Sequence, residues 1–166
     1  MIRAALAEFW QWLIATGWRG KENDCVNAFT HGFLLKHAQA GIDGFDSACM
    51  GIEVGVPQPA GQGTRAAVRR DLVIWNKRFD TTWDSSWQPV NVPRVIVEWK
   101  ARRSGKVVGL DRYDVGWLTA MSQQHPEFTG YAVTVDFATD PVRLHTGRIR
   151  GGEMERDIHL TAGGSE

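Results

Sequence analysis

The sequence predicts an α/β (α+β) domain in which helices flank a mixed β-sheet. Three observations support this fold class: two N-terminal stretches with helical periodicity, three strand-like segments rich in valine and isoleucine, and a late helix followed by more strand-like sequence. Of the 166 residues, 43% are hydrophobic and 23% are charged, which is typical of a globular chain that buries a core. We expect a single domain over residues 1–160 and a flexible tail over residues 161–166.

Two helices are predicted at the N-terminus. The first stops before Gly17, and its apolar residues recur at helical spacing: Ile2, Leu6, Phe9 and Leu13. The second runs from Glu22 to about Ala40, and one narrow stripe of it contains Val26, Phe29, Phe33 and His37. Glu22 falls in that same stripe.

Three strands follow the helices. The segment "GIEVGVP" (51–57) alternates along its length and ends at Pro57, with Glu53 on the face opposite Ile52 and Val54. The segments "DLVIW" (71–75) and "RVIVEWK" (94–100) are dense in β-branched residues and are predicted to be central strands. Two loops, residues 57–70 and 76–93, separate the three strands.

The second of these loops is too long for a tight hairpin and has no helical periodicity, so its structure stays open. It contains Trp83 and Trp87, which could insert into nucleic acid, contact a partner or cover an edge of the sheet. After it, a helix is predicted from Asp111, its N-cap, to about Gln124. The segments "GYAVTVDF" and "VRLHTGRI" then predict one or two late strands.

Composition and motifs exclude several classes of protein. No apolar run approaches the length of a membrane span, and Glu8 and Gln11 interrupt the N-terminal stretch where a signal peptide is apolar, so we expect a cytoplasmic protein with no membrane contact. Cys25 and Cys49 have neither zinc-site nor disulfide-framework spacing and are expected to be reduced and buried. The five histidines lack zinc-site spacing, and no phosphate-binding loop or dinucleotide fingerprint is present.

The net charge of the chain does not indicate a polyanionic partner, so only local clusters of basic residues could do so. The 19 basic residues balance the 19 acidic ones, although arginine outnumbers lysine by 14 to 5 and clusters in "RAAVRR", "KARRSGK" and "RLHTGRIR". Arginine's planar guanidinium suits phosphate, but small basic clusters are also ordinary solvated surface.

The end of the third strand places two charges on one face. Glu98 and Lys100 are two residues apart and therefore point the same way, while Val97 and Trp99 pack on the other side. One interpretation is a surface ion pair at a strand end. Asp71, at the start of the preceding strand, suggests a metal site as the other interpretation. If the two strands pair, the carboxylate of Asp71 would approach that of Glu98 across the ladder, and a divalent cation would relieve their repulsion.

With Asp71, then Glu98, Trp99 and Lys100, the sequence resembles the PD-(D/E)XK phosphodiesterase superfamily, also called restriction-endonuclease-like. The resemblance covers roughly residues 22–137. It implies a core of αβββαβ type, here with an extra N-terminal helix, and metal-dependent cleavage of phosphodiester bonds. We expect DNA as the substrate, with RNA as the second possibility. The resemblance also implies that Asp71 and Glu98 bind Mg²⁺ or Mn²⁺, that Lys100 assists the attack, and that the products carry a 5′-phosphate. Arg70 stands where the family name has proline.

Further site residues follow from the same resemblance. Many members carry a metal-facing glutamate on the first core helix, and Glu22 fits that role, although a charge that complements the helix N-terminus explains Glu22 equally well. Glu53 is a weaker candidate, and Asp114 and Tyr113 are candidates for supporting the site, with helix capping an equal explanation for Asp114. Phosphate contacts are expected from the arginines that flank the strands: Arg69, Arg70, Arg102 and Arg103.

The expected partner is nucleic acid, and a chain of this size is expected to act as a homodimer or within a larger complex. Two other interpretations stay open. The fold could serve as a catalytically idle binding or assembly module that docks through the Trp83/Trp87 loop, or the charges could be ordinary ion pairs in an α/β domain of unrelated function.

Overall fold

A computed structural model describes residues 1–39, 46–104 and 109–160 of the chain, and the expected flexible tail lies outside these residues. The described part of the chain contains six strands, which form one sheet in chain order. Strands β3 and β4 are parallel and all other neighbours are antiparallel, so the sheet is mixed, as the sequence predicts. The strands are β1 (Met50–Pro57), β2 (Ala67–Ile74), β3 (Val95–Arg102), β4 (Thr129–Asp136), β5 (Arg143–Arg150) and β6 (Glu153–Leu160).

Helices cover both faces of this sheet. They are α1 (Ile2–Thr16), α2 (Glu22–Phe29), a π-helical turn (Thr30–Leu34), α3 (Leu35–Gln39), a 3₁₀ turn (Ser47–Cys49) and α4 (Arg112–Gln124). Helix α1 ends as expected at Gly17, whose φ of 64° closes the last turn. The side chain of Asp111 accepts hydrogen bonds from the backbone N–H groups of Tyr113 and Asp114, which confirms Asp111 as the N-cap of α4. The predicted second helix forms as α2 and α3 joined by the π-helical turn.

The sheet separates two apolar cores. Helices α1 and α2 pack on one face, where Trp99 of β3 lies 5.6 Å from Phe9 and 5.1 Å from Phe29 between ring centroids. Helix α4 packs on the other face against Ile96 and its neighbours. Because Val97 and Trp99 face α1 and α2, strand alternation directs Glu98 and Lys100 toward α4. Strand β3 therefore turns its two charged residues away from the larger core.

At Glu53 the alternation of side chains between the two faces of β1 is interrupted, contrary to the sequence prediction. We expected Ile52 and Val54 to share a face, yet Ile52 packs with the α1/α2 core and Val54 with the α4 core. Glu53 lies between them with a φ of 57°, in the left-handed region, which breaks the alternation of a regular strand.

One strand boundary and one whole strand also differ from the prediction. Strand β2 begins at Ala67, so Asp71 lies inside the strand and not at its start. The sequence before Asp71 did not indicate a strand, but pairing with β1 from Ala67 onward makes it one. Strand β6 was not predicted, although Gly151 and Gly152, both at positive φ, form the tight turn that joins it to β5.

The loop from residue 76 to residue 93 covers an edge of the sheet. Strand β1 is an edge strand, and the Thr82 hydroxyl donates a hydrogen bond to the carbonyl of Gly55 in it. The backbone N–H of Phe79 donates to the carbonyl of Ala48, just before β1, over 2.8 Å. Trp83 and Pro89 form an isolated bridge that narrows the loop. The loop thus covers the sheet edge through Thr82 and Phe79, whereas the three possibilities for Trp83 and Trp87 stay open.

Both cysteines are buried, as expected, with Cys25 fully enclosed. Burial raises the pKa of the Cys25 thiol to about 12, so it is protonated and unreactive at neutral pH. Within the described ranges, no helix combines the length and the apolar character that crossing a bilayer requires.

Candidate functional site

The candidate site lies where β2 and β3 separate. Their paired register ends at Leu72 and Val97, one residue before Asp71 and Glu98 would face each other. Beyond that point the Oδ2 atom of Asp71 accepts a hydrogen bond of 2.7 Å from the backbone N–H of Trp99. The Asp71 carboxylate thus accepts the hydrogen bond of a backbone N–H that has no partner in the β2–β3 ladder. Asp71 is also close enough to Glu98 for its charge to add to the effect of burial, which is the main cause of the raised pKa of Glu98.

Glu98 is buried beside Arg70. Its side chain is 4% exposed, and Nη1 of Arg70 lies 3.2 Å from its Oε1 atom. The guanidinium also stacks on the ring of Trp117 in α4, with its central carbon 3.8 Å from the ring centroid. The contact is close but poorly aligned, because Oε1 of Glu98 and Nε of Arg70 both lack a hydrogen-bond partner. Glu98 and Arg70 therefore form an ion pair without a well-aligned hydrogen bond, in a nearly dry position.

Lys100 connects the sheet to helices on both of its faces. Its Nζ atom lies 3.2 Å from Oδ2 of Asp114 in α4 and 3.4 Å from Oε1 of Glu22 in α2. Nζ also donates a hydrogen bond of 2.8 Å to the backbone carbonyl of Trp99. The structure therefore brings Glu22 and Asp114 to Lys100. The metal-facing role that the resemblance implies for Glu22 stays a prediction.

Burial raises the pKa of all four carboxylates in this region. For Glu98 the pKa rises from its ordinary value of 4.5 to about 8; burial is the main cause, Arg70 opposes it, and Asp71 and Asp114 add to it. Burial likewise raises the pKa of Glu22, Asp71 and Asp114. The pKa of Lys100 is also raised, because Asp114 and Glu22 outweigh the opposing effect of burial. Lys100 is therefore a fixed ammonium, and the carboxylates favour additional positive charge.

The charges of the cluster do not balance when all groups are ionised. Four carboxylates, those of Glu22, Asp71, Glu98 and Asp114, surround two cations, Arg70 and Lys100, which leaves an excess of two negative charges. Across the described ranges, no three histidine, cysteine or acidic side chains form a group arranged to hold a metal. The groups present are carboxylate oxygens, which are nevertheless the ligands that Mg²⁺ and Mn²⁺ bind. Asp71 and Glu98 are the residues that would hold such an ion.

Arg70 is wrongly placed by the sequence analysis as a phosphate contact. It is 5% exposed, and its guanidinium is enclosed by Glu98 and Trp117, so it cannot reach a ligand at the surface. The other three arginines are accessible: Arg69 and Arg103 are exposed, and Arg102 is half-buried. Only these three stay candidates for binding nucleic acid.

Two secondary candidates have different positions. Glu53 is exposed, yet its charge contributes to the raised pKa of Asp71, which burial mainly causes, so it lies at the margin of the cluster. Tyr113 is 61% exposed, and its backbone N–H donates to the cap at Asp111. Tyr113 therefore forms no part of the buried cluster.

The sequence analysis missed the direct contact of Asp114 with Lys100 and the burial of Arg70. A signal for Asp114 exists, because it lies three residues after the helix cap at Asp111 and so in the first turn of α4, which faces the sheet. No comparable signal identifies Arg70. Its burial depends on the stack with Trp117, which is distant in sequence.

The chain was compared with protein-family models, with curated proteins and with solved structures, and none of them matches it.

Proposed function

We propose that the protein is a metal-dependent nuclease that hydrolyses phosphodiester bonds of DNA, or of RNA as a second choice, at the cluster of Asp71, Glu98 and Lys100. The observation that supports this most strongly is the convergence of these residues with Glu22 around an ammonium, in a cluster that holds more carboxylates than cations.

In this proposal a bound Mg²⁺ or Mn²⁺ supplies Lewis-acid chemistry, polarising a phosphoryl oxygen and lowering the pKa of a coordinated water. Asp71 and Glu98 hold the ion, and the hydrogen bond from Trp99 fixes the direction of the Asp71 carboxylate. Arg70 would not contact the substrate but would orient Glu98 through the 3.2 Å contact between Nη1 and Oε1. The protein needs to form no covalent bond to the substrate.

Lys100 would orient the attacking water or stabilise charge on the phosphate. Its ammonium is held from three directions, by Asp114, Glu22 and the carbonyl of Trp99, so its position is fixed before substrate binds. Glu22 would then either contact the ion directly or position Lys100. The raised pKa of Lys100 suits an electrostatic role and disfavours a role as a general base.

The test is cleavage of plasmid, linear duplex and single-stranded DNA with Mg²⁺ or Mn²⁺. Wild-type protein is expected to cleave, whereas Lys100→Ala and Asp71→Asn are expected to lose at least about 100-fold in rate, as when a fixed electrostatic group is removed. The matched control is Glu127→Gln, because Glu127 is exposed and lies outside the cluster. Equal cleavage by Lys100→Ala and wild type would reject the proposal.

A second candidate function is a binding or assembly module without catalysis. It is favoured by Phe79 and Trp87, which are 77% and 78% exposed and both adopt left-handed backbone conformations. Strained, exposed aromatic residues are typical of contact surfaces. DNA or protein binding that depends on Trp87, with no cleavage under either metal, would favour this candidate. A cytoplasmic location, and action as a homodimer or within a larger complex, are part of either proposal.

A further inference from the structure

A cationic cleft adjoins the candidate site on the α1/α2 side of the sheet. Its volume is about 390 Å³, at the lower end of the range for small-ligand pockets. It is formed by the connection between α1 and α2, the first turn of α2 and the ends of β3 and β4. The lining residues are Arg19, Gly20, Lys21, Asp24, Arg103 and Phe137.

The charges that line this cleft do not cancel. Three cations, Arg19, Lys21 and Arg103, face one carboxylate, that of Asp24, and Asp24 accepts a hydrogen bond of 2.8 Å from the backbone N–H of Lys21. Neither Lys21 nor Arg103 forms a salt bridge with another residue of the described ranges. The cleft thus has two positive charges in excess and two cations with no acidic partner there.

Contacts within the protein hold the walls of the cleft in place. The guanidinium of Arg19 donates a hydrogen bond of 2.6 Å to the carbonyl of Phe137 and lies 5.9 Å above that residue's ring. A side chain at Gly20 would collide with the ring of Trp18 and with Asp24, so only glycine lets the α1–α2 connection pass this close to α2. Arg19 is therefore held at the wall by the chain itself.

The cleft is linked to the candidate site through two chain segments. Lys21 precedes Glu22, and Arg103 follows Lys100 by three residues, which is about 10 Å along a strand. The contact between Lys100 and Glu22 joins these two segments. A nucleic-acid strand that places one phosphate at Lys100 would reach the cleft about three stacked nucleotides further along.

We propose that this cleft binds the terminal phosphate monoester of a nucleic-acid strand whose cleavage site lies at Lys100. The proposal rests on the proposed function and adds substrate selection by the strand end. A monoester carries nearly two negative charges at neutral pH, which matches the two positive charges in excess, whereas an internal diester carries one. Arginine guanidinium groups from two sides provide the paired donors that phosphate oxygens accept.

The test measures binding without cleavage, in buffer containing EDTA. Fluorescent single-stranded oligonucleotides of about 12 nucleotides, a length within common site sizes, are prepared with a 5′-phosphate, with a 3′-phosphate and with neither. The label sits at the opposite end from the phosphate. Wild-type protein is expected to bind one phosphorylated form about 10- to 100-fold more tightly than the unphosphorylated form.

Three variants assign that preference to the cleft. Arg103→Gln and Lys21→Gln are expected to bring the affinity for the phosphorylated form close to that for the unphosphorylated one. Arg150→Gln is the matched control, because Arg150 is exposed and lies at the opposite end of the sheet, where β5 pairs with the start of β4. Lys21 and Arg103 are exposed as well, so their variants are expected to fold, which thermal unfolding checks.

Equal affinity of wild type for all three oligonucleotides would overturn the proposal, as would a preference that survives in both cleft variants. A uniform loss of affinity for all three in Arg103→Gln would indicate an internal phosphate contact and would also overturn it. Because no metal is present, the outcome is independent of catalysis. If the protein prefers a phosphorylated oligonucleotide here but does not cleave DNA with Mg²⁺ or Mn²⁺, only the proposed nuclease activity is rejected. If it cleaves DNA but shows no such preference, only the terminal-phosphate site is rejected.

Discussion

Arg70 of β2 and Glu98 of β3 form a buried contact in which Nη1 and Oε1 are 3.2 Å apart. Both side chains are almost completely enclosed, and the guanidinium is clamped between the carboxylate and the ring of Trp117. The contact fixes the orientation of the residue expected to bind metal, although the two groups form no well-aligned hydrogen bond.

The first prediction concerns removal of Arg70. Arg70→Met leaves Glu98 buried without a cation, and breaking a buried pair in this way costs about 3 to 5 kcal/mol in the free energy of unfolding. In the wild type, Glu98 has a pKa of about 8, so it is ionised beside Arg70 at pH 9 and protonated at pH 6. Because Arg70 lowers the pKa of Glu98, the variant raises that pKa further; the loss is therefore expected to be larger at pH 9 than at pH 6, and below the full cost where Glu98 takes up a proton instead. Urea unfolding at both pH values measures this. A loss of the same size at both would show that Arg70 acts only by packing on Trp117.

The second prediction concerns the pH dependence of stability without metal. The pKa of Glu98 is raised by burial from 4.5 to about 8, so between these values the folded state binds a proton that the unfolded state has lost. Stability therefore decreases as pH rises from about 5 to about 8, and Glu98→Gln is expected to flatten this decrease. Urea unfolding across this pH range tests it, with Glu127→Gln as the control that keeps the wild-type slope. An unchanged slope in Glu98→Gln would contradict the assignment.

The third prediction concerns stabilisation by a divalent ion. If Mn²⁺ binds the folded protein alone, an ion concentration about ten times the dissociation constant stabilises it by about 1.4 kcal/mol. The effect is expected to increase from pH 6 to pH 8.5, because the ion competes with the proton on Glu98. Isothermal titration with Mn²⁺ should show weaker binding by Asp71→Asn and Glu98→Gln, and undiminished binding by Glu127→Gln. Equal affinity in all four proteins would place any bound ion elsewhere.

The fourth prediction concerns the exposed loop. Trp87 is 78% exposed and has a φ of 59°, a conformation that costs most residues about 1 to 2 kcal/mol but that asparagine adopts readily. Trp87→Asn is therefore expected to leave the free energy of unfolding unchanged or slightly raised. Trp83→Asn, at a residue that is 41% exposed and bridged to Pro89, is expected to lower it. A clear loss of stability in Trp87→Asn would indicate that the indole is buried against a partner in solution.

The sequence alone determined the fold class and the identity of four residues in the cluster, namely Asp71, Glu98, Lys100 and Glu22. Apolar residues repeat every 3.6 residues in a helix and every 2 residues in a strand, and both patterns can be read within one segment. They therefore predicted the helices, the three early strands and the shared face of Glu98 and Lys100. They failed at Glu53 and at the start of β2, because a left-handed residue and a cross-strand partner override local preference.

Tertiary structure decided how the charges are paired. The sequence placed Arg70 at the surface and Asp114 in a supporting position, whereas packing buries the first against Trp117 and brings the second to 3.2 Å from Lys100. These contacts join β2 and β3 to α4, and a pattern within one segment carries no information about which side chain of a distant segment fills the space beside it. Charge type was therefore readable from the chain, but burial, and with it the pKa of each group, was set only when the helices closed over the sheet.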